Sequence, residues 1–525
     1  MAAFLDLDAT RAFRELAELP KPGLASLLDA ARVRSCDIPM GGGLTYNWAA
    51  SPVDGTVLAC LGRLAAEQGL AEKLRLLAAG EVMNTGEGRM VLHHLARGLL
   101  GPDVVREGRS LRAFYEGERK KAADFAESVR AGRILGSTGK SFATVVQIGI
   151  GGSDLGPRAL YLALERWARA KGRMRMEARF ISNVDPDDAN AVLARLDLPS
   201  TFFILVSKSG TTQETLANEV LVRGRLEAAG LDPARHMAAV TSETSPLARN
   251  PRYLESFYID DFIGGRYSSS SAVGGVVLSL AFGPETFAEF LAGAHEADLA
   301  ALEPDISRNA AMLDAMIGLY ERNVLGMGAT AVLPYAEALS RFPAHLQQLD
   351  MESNGKRVDR EGKPVPYATG PVVFGEPGTN GQHSFYQLLH QGTDALPLQF
   401  IGFREGQTEG DAEVEGSTSR AKLNANLVAQ VVAFALGKRD ANPNKAFPGG
   451  RPSTLIRGER LDPKALGALL AHYENKVAFQ GFAWNLNSFD QEGVQLGKVL
   501  AKKVLAGGGD PLLDAYASLL LPGRG

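Results

Sequence analysis

Ser207-Lys208-Ser209-Gly210-Thr211-Thr212 places four hydroxyls, one ammonium and one glycine within six residues. An unbroken apolar run, Phe202-Phe203-Ile204-Leu205-Val206, precedes it, the pattern of a strand buried on both faces. Behind it Leu216, Val220 and Leu221 recur at helical spacing, with Gln213 and Glu214 in the first turn. A strand feeding a hydroxyl-rich loop into a helix start offers free backbone N–H groups, a favourable dipole and side-chain donors. Those three features together bind phosphate. A lone Ser or Thr there would be an ordinary helix cap; four hydroxyls with Lys208 exceed what capping needs.

Other stretches carry chemistry less plainly. Thr144–Gly156 repeats the order strand, glycine-rich turn, helix, the helix running from about Pro157 to Ala170. A dinucleotide fingerprint starting at Gly149 needs its third glycine where Asp154 stands, which argues against a nicotinamide fold. Gly151-Gly152-Ser153 lets backbone approach a ligand closely. Gly136–Ser141 looks like a nucleotide-binding loop, but its first glycine is replaced by Ile134. In Phe262–Ser271, two glycines precede Arg266 and a run of hydroxyls follows, so a ligand-facing and a solvated arginine stand level. His93-His94 point to different sides of a helix and lack a zinc-binding spacing, so they read as structural.

Positioning these loops takes a large α/β protein. The 525 residues are 45% hydrophobic and 22% charged, an ordinary soluble composition with room for two or three domains. A net charge of -4 gives no basic field for nucleic acid. Only Cys36 and Cys60 occur, which fits a reducing cytoplasm rather than a disulfide framework. No apolar run is long enough to span a bilayer. Residues 1–105 read mostly as helices, and the N-terminus as an amphipathic helix without a signal-peptide core. Strand–loop–helix units then recur through ARFISNVD and MAAVTS. They return in a second half, at ATAVLPYA, PVVF and ALPLQFIGF. Two loops at successive strand ends imply a parallel sheet with one crevice at its carboxyl edge. ANPNKAFPGGRPS, 441–453, reads as a projecting arm, and Phe489–Ala506 as a last helix capped by Asp490, with Gln491 and Lys498 on one face.

Seven stretches in one order, IGIGGSDLGP, SKSGTTQET, GGRYS, MESNGK, GTNGQHSFYQLLHQG, NKAFPGGRPS and FDQEGVQLGK, resemble the glucose-6-phosphate isomerase (phosphoglucose isomerase) family of glycolysis and gluconeogenesis. The resemblance implies two doubly wound parallel-sheet α/β sandwich domains of the sugar-isomerase (SIS) type, in an intertwined homodimer. The expected division is a helical N-terminal segment (1–105) on the large domain, a small domain (106–285), a large domain (286–505) and a C-terminal arm (506–525). It implies reversible isomerisation of glucose 6-phosphate and fructose 6-phosphate, with no metal or cofactor, the electrophile being a protein cation. Glu352 matches the base that moves a proton between C1 and C2, and Arg266 the cation beside the enediolate. His383, reaching the site from the other subunit and assisted by Lys498, matches the ring-opening group. Ser207, Lys208, Ser209 and Thr212, with the Gly152-Ser153 backbone, match the phosphate site. Gln348 and Gln491 match substrate contacts, and Glu214 the residue that orients the histidine.

Without the resemblance, Glu352 would read as a helix-end carboxylate paired with Lys356 four residues on. Two departures stand out: Gln495 replaces a usual glutamate one turn before Lys498, and Ser269 and Ser270 replace bulkier residues after GGRYS. A broader isomerase that also accepts mannose 6-phosphate, or a non-catalytic sugar-phosphate regulator on the same fold, are the alternatives. A regulator needs the phosphate loop but not Glu352, Arg266, His383 and Lys498 together.

Overall fold

The computed structural model describes residues 3–507 and 509–521; positions 1–2 of the N-terminal segment and 508 and 522–525 of the expected arm lie outside them. Two sheets organise the chain. The first carries β3 (Thr144–Ile148), β4 (Glu177–Ile181), β5 (Thr201–Val206), β6 (Met237–Thr241) and β7 (Glu255–Tyr258), in the order β7-β6-β5-β3-β4 and parallel throughout. All six residues of β5 are buried, as its unbroken apolar run requires of a strand covered on both faces. Because Ile148 pairs with Leu205, β3 and β5 end level, and the loops that follow leave the sheet side by side at its carboxyl edge. Each then enters a helix, α1 (Leu155–Ala170) and α2 (Gln213–Ala228).

After α3 (Ala272–Phe282), α4 (Pro284–Ala301) and α5 (Ala310–Asn323), the chain builds the second sheet. Its parallel part is β8 (Ala329–Pro334), β9 (Val372–Phe374), β10 (Leu398–Phe403) and β11 (Ser453–Gly458). A hairpin from the N-terminal segment, β1 (Asp37–Gly41) and β2 (Leu44–Asn47), extends it antiparallel, giving the order β1-β2-β11-β10-β8-β9. The reading of residues 1–105 as mostly helical passed over this hairpin. The remaining long helices are α6 (Ser419–Leu436), α7 (Pro463–Ala483), α8 (Gln495–Ala506) and α9 (Pro511–Leu520).

One continuous apolar cluster joins the N-terminal segment, α3, α4, α5 and α7 to one face of both sheets. α7 threads its middle and buries charge there. Arg97 holds Asp298 through two hydrogen bonds of 2.6 and 2.8 Å and also pairs with Glu474. Lys476 lies 3.0 Å from Asp314, whose other oxygen accepts from His472 at 3.0 Å. No described helix is long and apolar enough to cross a membrane.

Candidate active site

Backbone pairing fixes the hydroxyl-rich turn first. The Ser207 N–H donates to Val240 O at 3.0 Å, and the Thr241 hydroxyl donates to Ser207 O at 2.7 Å. The Ser207 hydroxyl lies 3.0 Å from the Thr212 hydroxyl and accepts from the Gly210 N–H at 3.1 Å. Gly210 sits at φ 68°, and a Cβ there would meet Ser245 Oγ at 2.2 Å, so the turn admits no larger residue. Ser209 Oγ accepts from the Thr211 N–H and hydroxyl at 3.2 and 3.0 Å. Thr212 occupies the cap position of α2, yet its hydroxyl makes no cap bond. The first-turn N–H groups of α2 thus keep their capacity for an anion.

Lys208 leaves this turn and donates to Ile263 O at 3.3 Å, with Asp261 3.9 Å away. Burial lowers its pKa and Asp261 partly restores it. That contact ties the turn to the loop of Arg266, three residues further on. The same loop presses against the glycine-rich turn after β3: a Cβ on Gly152 would fall 2.2 Å from Gly265 C and 2.7 Å from Arg266 N. Only glycine allows so close an approach.

Arg266 is 1% exposed and every branch of its guanidinium is engaged. Nε donates to Ser353 Oγ at 2.6 Å, and Nη2 donates to Ser488 O at 2.6 Å and Asp490 O at 2.9 Å. Nη1 donates to Glu352 Oε2 at 3.2 Å. Beneath it Tyr267 stacks on His93 with centroids 4.9 Å apart, so the histidine pair is a buried support. Burial drives both imidazoles toward the neutral form, His94 to about 3.

Glu352 ends a π-helical turn, Gln348–Glu352, of the kind that recurs at functional sites. Its carboxylate is 18% exposed, between the buried guanidinium and solvent. Gln348 on the same turn brings Nε2 within 3.3 Å of where a Cβ on Gly151 would stand. The sequence-expected residues Gly152, Ser153, Lys208, Arg266, Gln348 and Glu352 therefore sit on loops in direct contact. Ser207, Ser209 and Thr212 join them through Lys208. The chemistry this allows is specific: a partly exposed carboxylate beside a fixed cation, next to an anion cradle, can move a proton on a phosphorylated substrate and stabilise the charge that develops.

Four expected residues share no hydrogen bond or ion pair with Glu352 or Arg266 among the described residues, although Glu214 follows the cradle and Gln491 follows Asp490. His383 is exposed in the turn Asn380–His383 after β9. Among the described residues, no hydrogen bond or ion pair joins it to Glu352, Arg266 or Glu214. Glu214 is half-buried in the first turn of α2. Gln491 is exposed directly after Asp490, and Lys498 is exposed on α8, no residue of which is buried. The helix read as the last, which α9 in fact follows, also starts later than its sequence pattern indicates. Residues 489–490 are held on the body, Glu492–Val494 forms a 3-10 turn, and α8 begins at Gln495. Asp490 caps nothing here; its carboxylate pairs with Lys356 and accepts from Asn487 Nδ2 at 2.6 Å.

Lys356 and Ser353 are site residues the sequence reading missed. The alternative of a Glu352–Lys356 pair is not realised, because the helix stops at Asn354 and Lys356 turns to Asp490. MESNGK itself held the only signal, with Ser353 next to the base and Lys356 one residue past a glycine. Among the described residues no group of three or more His, Cys, Asp or Glu is arranged to hold a metal.

This architecture has clear relatives. The phosphoglucose isomerase family model matches residues 47–510. A glucose-6-phosphate isomerase of Treponema denticola is 62% identical over 515 residues, covering 97% of each chain. That of Borreliella burgdorferi is 43% identical over 527 residues, covering 99% of each. The crystal structure of a glucose-6-phosphate isomerase from Chlamydia trachomatis superposes with a TM-score of 0.91 at 43% identity, covering 98% of this chain and 99% of that one. On this match the chain belongs to the phosphoglucose isomerase family.

Proposed function

We propose that this protein interconverts D-glucose 6-phosphate and D-fructose 6-phosphate by ring opening and proton transfer through a cis-enediolate. The observation that carries the reading is the Glu352–Arg266 pair, 3.2 Å apart on loops that also touch the hydroxyl cradle. Glu352 takes the proton beside the carbonyl and returns it to the neighbouring carbon. Arg266, already fixed by Ser353, Ser488 and Asp490, needs no rearrangement to meet the charge of the enediolate. The phosphate sits on Ser207, Ser209, Thr212 and Lys208 at the start of α2, beside the Gly152-Ser153 backbone. Gln348 and Gln491 contact substrate.

His383 opens the ring with Lys498, oriented by Glu214, and does so from the partner of a homodimer. Its exposure supports that assignment, as does the apolar surface left open on α6, α8 and α9, where Val428, Leu496 and Leu519 face outward. The division into segment 1–105, domains 106–285 and 286–505 with the arm 441–453, and tail 506–525 belongs to the same reading. So does a cytoplasmic place in glycolysis and gluconeogenesis, which the two free cysteines fit. A coupled assay of the purified protein, with a chelator present, tests it: fructose 6-phosphate is converted to glucose 6-phosphate, and absence of turnover contradicts the reading.

A further inference from the structure

Residues 485–489 are buried and the chain from Gln491 to Val499 is exposed, so Asp490 is the point where the polypeptide leaves the body toward α8. Three sets of bonds converge on it. Arg266 Nη2 donates to Ser488 O at 2.6 Å and to Asp490 O at 2.9 Å. Lys356 Nζ donates to the same Asp490 O at 3.1 Å and pairs with its carboxylate, both side chains being 17% exposed. Asn487 Nδ2 donates to the other carboxylate oxygen at 2.6 Å and to Asn84 Oδ1 at 3.0 Å. A Cβ on Gly86 would lie 3.0 Å from that oxygen, so the pocket closes around it. The Asp490 carbonyl is therefore shared between the proposed enediolate cation and Lys356.

We propose that Lys356 and Asp490 are positioning residues for ring opening. They latch the departure point of the helix that bears Lys498, and of Gln491 beside it, onto the Arg266 guanidinium. This rests on the reading of Gln491 and Lys498 as substrate-facing groups. The pair costs desolvation, which lowers the Lys356 pKa, and the carboxylate offsets it. A charged pair held in place beside an arginine that already satisfies the same carbonyl is more than chain anchoring requires. Its effect is to fix where an otherwise exposed helix starts relative to Glu352.

The test separates ring opening from proton transfer. Fructose 6-phosphate must be opened, whereas 5-deoxy-D-fructose 6-phosphate lacks the hydroxyl that closes the ring and enters as the open chain. Lys356→Met is expected to lower kcat on fructose 6-phosphate about 10- to 100-fold with KM within about 3-fold, while deuterium wash-in on the 5-deoxy substrate stays within about 3-fold of the unaltered protein. Asp490→Asn is expected to give the same selective loss, and the double variant no more than either single one, because both break one contact. Equal losses on the two substrates, additive losses, or no loss would overturn the latch. Failure of the unaltered protein on both substrates would overturn the isomerase reading itself.

Discussion

A carboxylate can carry a proton between neighbouring sugar carbons only while it stays ionised, reachable and next to something that accepts the charge it creates. Glu352 meets the geometric part of this with an Arg266 N–H at 3.2 Å and an opening to solvent. Replacing Arg266 by lysine keeps the charge but loses the fork that reaches Ser353, Ser488, Asp490 and Glu352 together. Arg266→Lys should therefore lower kcat by about 10²–10³ and weaken binding of a phosphorylated sugar acid that mimics the planar enediolate. Unchanged inhibition by such a compound would count against the assigned role. The hydroxyl cradle was legible in its own residues, four hydroxyls and a lysine after an apolar strand, whereas Glu352 and Arg266 were singled out by the resemblance of MESNGK and GGRYS to the family. The pairing of Lys356 with Asp490 was not, since two residues 134 positions apart meet only after the fold has closed.

At the scale of the element, the two carboxyl-edge loops are held apart by nothing larger than hydrogen. Gly152→Ala would push its methyl into Gly265 and Arg266, displacing the guanidinium from Glu352 while leaving both charges present. Activity should fall by roughly 10²-fold or more, and Tm should fall with it, because the atoms the methyl meets are backbone and must move. A fully active Gly152→Ala protein would show that the contact between the loops does not set the geometry. The strands β3 and β5 read plainly in the sequence, whereas β7, which precedes the Arg266 loop, did not: Glu255-Ser256-Phe257-Tyr258 is only four residues long and begins with two polar ones. The helix after the cradle was read correctly in kind but not in facing. Val220 is exposed, whereas Thr215, Asn218, Glu219 and Arg223 are buried. Glu219 accepts from Arg223 at 2.6 Å and from the Tyr253 hydroxyl at 2.7 Å, so a polar network took the place of an apolar stripe. The hairpin Asp37–Asn47 escaped notice for a related reason. Ile38, Met40, Leu44 and Tyr46 alternate as a strand should, but over segments of only five and four residues, interrupted by Gly41-Gly42-Gly43.

The whole molecule buries ionisable groups in its interior, and each contributes to stability with a pH dependence whose sign follows from its own shift. Burial raises Glu321 to about 8 and Asp350 to about 6, with Lys476 opposing both shifts. The folded state keeps protons that the unfolded chain has released, so between the ordinary carboxylate range and about pH 8 the contribution of these two carboxyls falls as pH rises, while the buried His93, His94 and His345, lowered by burial, contribute in the opposite sense up to the ordinary histidine range. Lys73 is shifted the other way, to about 7 by burial, so its contribution improves as pH rises from 7 toward the usual lysine range. Glu321→Gln should make the slope of Tm against pH between 5 and 8 more positive than in the unaltered protein, and an unchanged slope would refute the assignment. The proposed homodimer belongs to the same scale. With Leu519 74% and Leu520 85% exposed on α9, a single chain leaves apolar surface that a partner would cover. On the proposed homodimer, Leu519→Glu with Leu520→Glu should give a monomer by light scattering and an activity loss of about 10²-fold or more, because the proposed ring-opening His383 would no longer reach the partner's site. Apolar spacing gave no sign of which helices stay uncovered, since an interface helix and a core helix obey the same periodicity.

The central claim is that Glu352 is the base, and hydrogen exchange at carbon reads it without a coupling enzyme. In heavy water the unaltered protein should place deuterium at C2 of glucose 6-phosphate, followed by NMR. Glu352→Gln should incorporate none while the two anomers still interconvert. Deuterium at C2 in the variant at the unaltered rate would contradict the account.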